Sequence, residues 1–351
     1  MWNWVGFVGA LFVARRVAQV NIAAQTTVAA IRPLAVTALL SLAATGICRG
    51  LPTVVPGALT TSVQYLAVIL LLVPGVYVLG ARRPGISAWP WFVITPMVIV
   101  LFWPAAAQLW GSRLRHDPTI PTPTLLGTLF VLLMSAGNYL GTALTIHSLL
   151  FSGAIVLFLM SVAEEYRIVG DWPYGFGVLL TAVAAAGLPE RFFPGTLAEQ
   201  SLDTDQPRLL SGVSNNATAE PNDSSTADVP TAMAEILSTD HGGVNSMWAD
   251  FRDVFGLVWA RRVADRVNQF SLRERWNCVL SVDGFVERPV EQAAEASTNS
   301  ALTSGRLCTA NEVPERAVRV LCWVLRRFVD EPFLQRYGMP FVTELTEKSE
   351  E

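Results

Sequence analysis

The chain has 351 residues, of which 52% are hydrophobic and 15% are charged, and its formal net charge is −4. Soluble globular domains usually carry about 25% charged residues, so this composition excludes an ordinary soluble protein and favours a membrane protein. Residues 248–340 hold thirteen arginines and twelve acidic residues. Nucleic-acid-binding domains show a clear basic excess, so no nucleic-acid partner is expected.

The N-terminal segment, residues 1–27, begins with an apolar run from Trp2 to Ala14, followed by Arg15 and Arg16. A secretory signal has the opposite order, with positive charge before the apolar run. Thirteen residues are also short of the roughly 20 that a transmembrane helix needs. We therefore predict an interfacial or half-buried helix over 2–14, with a full span as the alternative.

Longer apolar runs follow and predict about six transmembrane helices. We place them near 28–48, 60–80, 89–110, 124–142, 144–162 and 174–190. Tryptophans at both ends of the third run fit an interfacial belt. The arginine of Arg32-Pro33 is expected to extend its charged head to the interface.

The run from 124 to 162 is too long for one span and suits two spans joined tightly. Gly137 and Gly141 form a small-xxx-small pair, which predicts close approach of helices at this point. The sixth run is short and rich in alanine and glycine.

The arginines in the loops nearly balance between the two sides and barely decide the orientation, so the arginine-rich, cysteine-bearing C-terminal region decides it. With six spans both termini share one side, which carries arginines 15, 16, 82, 83 and 191, against 49, 113, 115 and 167 on the other. The scattered cysteines of the C-terminal region fit a reducing compartment. We therefore predict a multi-pass protein of the cell membrane with both termini in the cytoplasm.

Residues 196–247 are polar and acidic with scattered proline and glycine, which predicts a disordered linker. Residues 248–340 regain apolar periodicity and predict a small soluble α+β domain of helix, hairpin and helix. Its first helix carries an apolar stripe, in which we expect Phe255 and Trp259 to be core residues and Arg261 to be exposed. Asp283-Gly284 is a hairpin turn signal, and Pro332 is expected to end the second helix. Residues 341–351 form an acidic tail.

The chain has no P-loop, GxGxxG, HExxH or GxSxG motif, and no cluster of His and Cys that predicts a metal site. His147 lies in or near a membrane turn, where an ionisable residue is a candidate functional residue. The alternative is a histidine hydrogen-bonded to a backbone carbonyl at a helix junction.

Three short motifs occur in an order that suggests a possible active site. Arg115-His116-Asp117-Pro118 precedes the helical hairpin, Glu164-Glu165 ends it, and Pro189-Glu190-Arg191-Phe192-Phe193-Pro194 follows. Over residues 113–194 this order resembles the membrane-embedded isoprenylcysteine carboxyl methyltransferases. The resemblance implies an S-adenosylmethionine site and makes His116, Glu164 and Glu165 candidate catalytic residues. The chain departs from the family pattern, because Asp117 separates the histidine from the proline and an apolar run occupies 174–188.

The sequence favours an integral membrane protein with a non-enzymatic role as a scaffold, sensor or assembly protein. A methyltransferase-like enzyme and a transporter component are the alternatives, and the cofactor is left unknown. The expected partners are the lipid bilayer and proteins bound through the C-terminal domain.

Overall fold

The computed structural model describes residues 2–20, 26, 30–50, 56–80, 89–110, 120–163, 172–189, 243–288, 306–309 and 312–339. These residues are mostly helical, with one two-stranded sheet near the C-terminal end. Of the linker predicted over 196–247, residues 196–242 lie outside the described residues, as does the tail at 341–351. Residues 243–247 already belong to a long helix, so the linker prediction was wrong for these five residues.

Among the described residues before the C-terminal unit, seven helices form a bundle. They are α1 (Trp2–Gln19), α2 (Arg32–Gly50), α3 (Gly57–Gly80), α4 (Trp89–Trp110), α5 (Thr122–Gly137), α6 (Thr145–Val162) and α7 (Trp172–Ala186). Within the described residues, α2, α3, α4 and α6 are long and apolar enough to cross a membrane, and α5 and α7 are shorter apolar helices. Helices therefore form at all six predicted runs.

The first helix packs inside the bundle through glycines. The helix predicted over 2–14 extends to Gln19, and its main neighbours are α2 and α7. A Cβ atom at Gly6 would lie 2.3 Å from the Tyr174 ring, and one at Gly9 would lie 2.7 Å from the Val178 side chain. Only glycine allows this approach, so α1 and α7 pack with their backbones close together.

The join between α5 and α6 differs from the prediction. Helix α5 ends at Gly137, five residues before the predicted end, and residues 138–144 form a compact turn. Gly141 has a φ of 87° and belongs to this turn, while a Cβ at Gly137 would meet nothing within 4 Å. The small-xxx-small prediction was wrong, because the two glycines are not on one helix.

The C-terminal unit comprises α8 (Gly243–Arg273), β1 (Cys278–Leu280), β2 (Phe285–Glu287), α9 (Glu315–Leu325) and α10 (Glu331–Gln335). The strands are antiparallel with Leu280 opposite Phe285, so the predicted hairpin at Asp283-Gly284 is present. Helix α9 ends at Leu325, before Pro332. That proline lies in the first turn of α10, where its missing N–H costs no helical hydrogen bond.

Helix α8 is broken at Gly256, whose φ of 77° and ψ of 178° lie in a region that only glycine adopts readily. Phe255 and Trp259 flank the break, are 0% and 5% exposed, and pack against Phe328 just after α9. Arg261 is exposed. The predicted core positions are therefore confirmed, although the helix that carries them is not continuous.

Candidate functional site

The strongest polar constellation among the described residues lies where the bundle meets the C-terminal unit. The turn 138–144 between α5 and α6 rests on the break in α8. We call residues 138–144 and 253–259 together the junction. A broken helix leaves carbonyls without partners before the break and N–H groups without partners after it, and the turn supplies partners for both.

Asn138 occupies the break itself. Its Nδ2 donates to the Phe255 carbonyl at 3.0 Å, and its Oδ1 accepts from the Val258 N–H at 3.0 Å. Its backbone carbonyl accepts from the Leu257 N–H at 2.8 Å. Asn138 is 3% exposed. A residue 118 positions before Gly256 in the chain therefore caps both halves of α8, which is a role that asparagine usually plays for its own helix.

Two further hydrogen bonds extend the junction. The Tyr139 hydroxyl donates to the Val254 carbonyl at 3.2 Å, and the Ala143 N–H donates to Asp253 Oδ1 at 3.3 Å. The Asp253 side chain is 0% exposed. A buried carboxylate is costly unless it is paired, and here the backbone of the turn contributes to its pairing.

Arg252 connects the junction to the hairpin. Its Nε lies 3.4 Å from Asp253 Oδ1, and its Nη1 donates to the Val282 carbonyl and to Asp283 Oδ1, both at 3.1 Å. The side chain is 14% exposed. A continuous polar path therefore runs from the α5–α6 turn through Asp253 and Arg252 to the turn of the hairpin.

The end of α3 is also tied to the C-terminal unit. The Trp259 Nε1 donates to the Val78 carbonyl at 2.7 Å. Val78 lies in the last turn of α3, where carbonyls lack partners within the helix. Thr26, which follows α1, forms an isolated antiparallel bridge with Val329. Several parts of the bundle thus contact the C-terminal unit at the same end.

A partly open cavity of about 370 Å³ lies between the helices of the bundle, directly beside the junction. Its volume falls within the range of about 300–1,000 Å³ usual for small-molecule sites. Its wall is mainly aliphatic and comes from α1, α2, α3, α5, α6 and α7. Tyr139, Leu144 and Val254 also line it, so the junction forms part of the cavity wall.

Two nitrogen-bearing side chains, those of Arg32 and His147, line the cavity. Arg32, expected at the interface, is half-buried and donates from Nη1 to the Val20 carbonyl at 3.2 Å. His147, in the first turn of α6, has a buried Nδ1 without a hydrogen-bond partner among the described residues. The expected bond from this histidine to a backbone carbonyl is therefore not made through Nδ1.

The candidate catalytic residues His116, Glu164 and Glu165 lie outside the described residues, so the structure neither assembles nor separates them. Within the described part of the chain, no three His, Cys, Asp or Glu side chains come together as a metal site. Burial raises the pKa of Cys322 to about 12 and that of Cys278 to about 11. These thiols stay protonated near neutral pH and are poor nucleophiles.

Sequence reasoning missed the junction. An isolated glycine inside a helical pattern is a signal for a break or a close approach, and Gly256 sits in the middle of the α8 stripe. Asn138 was visible only as a polar residue within an apolar run. Nothing in the spacing indicates that these two residues meet.

Comparison with known proteins gives no relative: no protein family, no curated protein and no solved structure matches the chain.

Proposed function

We propose that the chain is an integral membrane protein of sensor type, in which the state of the helical bundle is transmitted to the C-terminal unit. The membrane part of the proposal is supported by the four long apolar helices and by the apolar side chains that the bundle turns outward. Phe92, Val100 and Leu133 are about two-thirds exposed, which suits contact with lipid and not with water.

The packing of α1 supports seven membrane-embedded helices instead of six. A Cβ at Gly46, near the end of α2, would lie 3.1 Å from the Asn3 carbonyl. The beginning of α1 is therefore at the end of the bundle remote from the junction, while Val20 and Arg32 are at the junction end. The proposed arrangement has a cytoplasmic C-terminal unit and an N-terminus on the opposite side.

Labelling with a membrane-impermeant maleimide tests this arrangement. Trp4 is 62% exposed at the start of α1. Trp4→Cys in a Cys48→Ser background should be labelled on intact cells, and Leu272→Cys should be labelled only after the membrane is opened. Labelling of both positions only in opened cells would support two cytoplasmic termini and reject the seven-helix arrangement.

The single observation that carries the sensor proposal is the capping of the broken α8 by Asn138. The geometry of α8 depends on a side chain from the bundle, so a shift of the α5–α6 turn must either move α8 or leave its buried backbone groups unpaired. Such unpaired groups cost about 1–3 kcal/mol each. A movement of the α5–α6 turn is therefore expected to move α8 as well.

Asn138→Ala tests this coupling in the full-length purified protein. We expect faster hydrogen exchange at the Val258 N–H, which loses its acceptor Asn138 Oδ1. The Leu257 N–H keeps the backbone carbonyl of residue 138 as acceptor, and we expect a smaller increase there because the two side-chain bonds no longer hold that carbonyl in place, while α6 keeps its protection. Asn138→Asp is the matched variant, since it keeps the acceptor for Val258 but loses the donor to Phe255. Unchanged exchange at 257–258 in Asn138→Ala would contradict the proposal.

The enzyme and transporter alternatives remain predictions, and no described contact favours them. Binding of S-adenosylmethionine to the purified protein, measured by calorimetry and lost in Glu165→Ala, would replace the sensor proposal with the methyltransferase-like one.

A further inference from the structure

The cavity beside the junction has the polarity of an amphiphile site. Its middle is lined by aliphatic side chains from several helices, including Val13, Leu39, Leu71 and Leu132. Arg32 and His147 belong to its junction end, because Arg32 begins α2 beside the end of α1, and His147 follows the turn that caps α8. The wall is thus mostly aliphatic, with hydroxyls from Ser135, Ser148, Ser152 and Thr181, and its two nitrogen-bearing side chains lie at the junction end.

The charge at that polar end is positive. Among the described residues that line the cavity, none is aspartate or glutamate, and Arg32 is the only one with a permanent charge. Asp253 lies nearby but is engaged with Arg252 and the Ala143 N–H. The guanidinium of Arg32 has five N–H donors, of which one bonds to the Val20 carbonyl within the described structure.

His147 adds a second group suited to a polar head. Its Nδ1 is buried and has no partner among the described residues, although buried polar atoms are nearly always hydrogen-bonded. Gly187 packs against the other ring nitrogen, since a Cβ there would lie 3.0 Å from Nε2. The imidazole therefore packs against the backbone just after α7 while it borders the cavity.

We propose that this cavity binds a single-chain lipid with an anionic head group, of the fatty-acid class, whose carboxylate contacts Arg32 and His147 and whose chain lies among the aliphatic side chains. The aliphatic part of the wall favours an acyl chain over water. A neutral amphiphile would leave the half-buried arginine without an anionic partner. This proposal names the ligand of the proposed sensor. The effect of the ligand on α8 rests on the proposed function, whereas the binding of the lipid does not.

The cavity also borders the element that the ligand would control. Val254 lines the cavity, and its carbonyl accepts from the Tyr139 hydroxyl. A ligand whose head group lies at the junction end therefore borders both residues of this hydrogen bond. Occupancy should hold the α5–α6 turn against α8 and protect the junction from opening.

Photolabelling of the full-length purified protein tests the site. The probe is a diazirine-bearing palmitic acid, and its matched control is the same chain ending in an alcohol. We expect labelled peptides from α3, α5 or α6 with the acid. Labelling with the alcohol, and of Arg32→Gln with the acid, should be about tenfold weaker, as expected from loss of one charge-assisted hydrogen bond.

Two neighbouring residues on α7 provide a steric control. Ala184 lines the cavity and is buried, whereas Val183 is 50% exposed and does not line it. Ala184→Leu should abolish labelling and Val183→Leu should not. Ser152→Val, which narrows the cavity from α6, gives an independent filling variant if Ala184→Leu does not fold.

The outcomes separate the two proposals. Equal labelling by the acid and the alcohol, or full labelling in both filling variants, would overturn the lipid site. Labelling as expected, but without slower hydrogen exchange at 254–258 on adding palmitate, would keep the lipid site and reject the sensor function. Labelling that persists in Asn138→Ala while the exchange effect disappears would support both.

Discussion

The helical bundle and the C-terminal unit differ in which side chains they expose and which they bury. The bundle turns large apolar side chains outward on nearly every helix, with Trp110 83% exposed and Phe92 70% exposed. In the described part of the C-terminal unit, the exposed large apolar side chains are Val258, Leu272 and Leu307. The first surface suits lipid and the second suits water, although both regions are mostly helical.

Their interiors differ as well. The bundle is held by close backbone approach at small residues, as where Gly75 faces Ser135 and Gly177 faces Phe158. The C-terminal unit is held by aromatic rings, with Phe251 and Phe255 stacked at 4.8 Å and Phe328 edge-on to both. Small residues allow packing where no hydrophobic force drives helices together, whereas large rings gain most from leaving water. A mostly helical structure alone therefore does not indicate how a region is stabilised.

The largest effect is expected where the two regions interlock. Gly256→Ala places a Cβ 2.2 Å from Asn138 Nδ2 at a φ of 77°. Backbone strain of about 1–3 kcal/mol adds to the loss of both Asn138 side-chain bonds, so we expect destabilisation of about 4 kcal/mol or more. In a Cys48→Ser background, maleimide should label the buried cysteines of the C-terminal unit much faster.

Gly137→Ala is the matched control for this variant. A Cβ there would meet nothing within 4 Å, and Gly137 is the last residue of α5. Its labelling rate should equal that of the unmodified chain. Equal rates in both alanine variants would mean that the junction does not hold the C-terminal unit closed.

Trp259 separates packing from hydrogen bonding between the regions. Trp259→Ala removes a buried ring and should cost about 3–5 kcal/mol. Trp259→Phe keeps most of the ring but leaves the Val78 carbonyl unpaired, which should cost about 1–2 kcal/mol. Thermal unfolding of the full chain in detergent, followed by fluorescence, measures both. If the phenylalanine variant were as unstable as the alanine variant, the hydrogen bond to α3 would contribute more to stability than the packing of the ring.

Arg252→Ala tests the polar path from the junction to the hairpin. The substitution leaves the buried Asp253 carboxylate without its arginine. We expect the free energy of unfolding to fall by about 2–3 kcal/mol. This is less than for a fully buried pair, because Arg252 is partly exposed. Adding Asp253→Asn should restore much of the stability, because the amide oxygen can still accept from the Ala143 N–H. The double-mutant cycle checks this, and additive losses would exclude a direct pair.

The smallest expected effect is on the pH dependence of stability, and it concerns only the C-terminal unit. Burial raises the pKa of Cys322 from 9.0 to about 12. The folded thiol therefore keeps its proton where the unfolded thiol loses it, so its contribution to stability is full below pH 9.0 and is lost as the pH rises towards 12. Cys322→Ala should cost about 1 kcal/mol near neutral pH and make the alkaline decline shallower. Thermal midpoints on both sides of pH 9.0 measure the difference, and parallel declines would contradict the assignment.

Much of the secondary structure follows from the sequence, because its signals are local. Apolar runs of membrane length predict α2, α3, α4 and α6, Asp283-Gly284 predicts the hairpin, and the aromatic stripe predicts the core positions Phe255 and Trp259. Each of these depends on residue types at spacings that one helix or one turn imposes.

The candidate site could not be predicted in the same way. The residues proposed from motif order, His116, Glu164 and Glu165, lie outside the described residues, and the junction was not anticipated. Only the tertiary structure decides that Asn138 caps a helix break 118 positions away, that α1 packs within the bundle through its glycines, and that Arg32 and His147 border one cavity. Such partners are chosen by how the helices pack, and no periodicity in the chain encodes which distant backbone groups will need them.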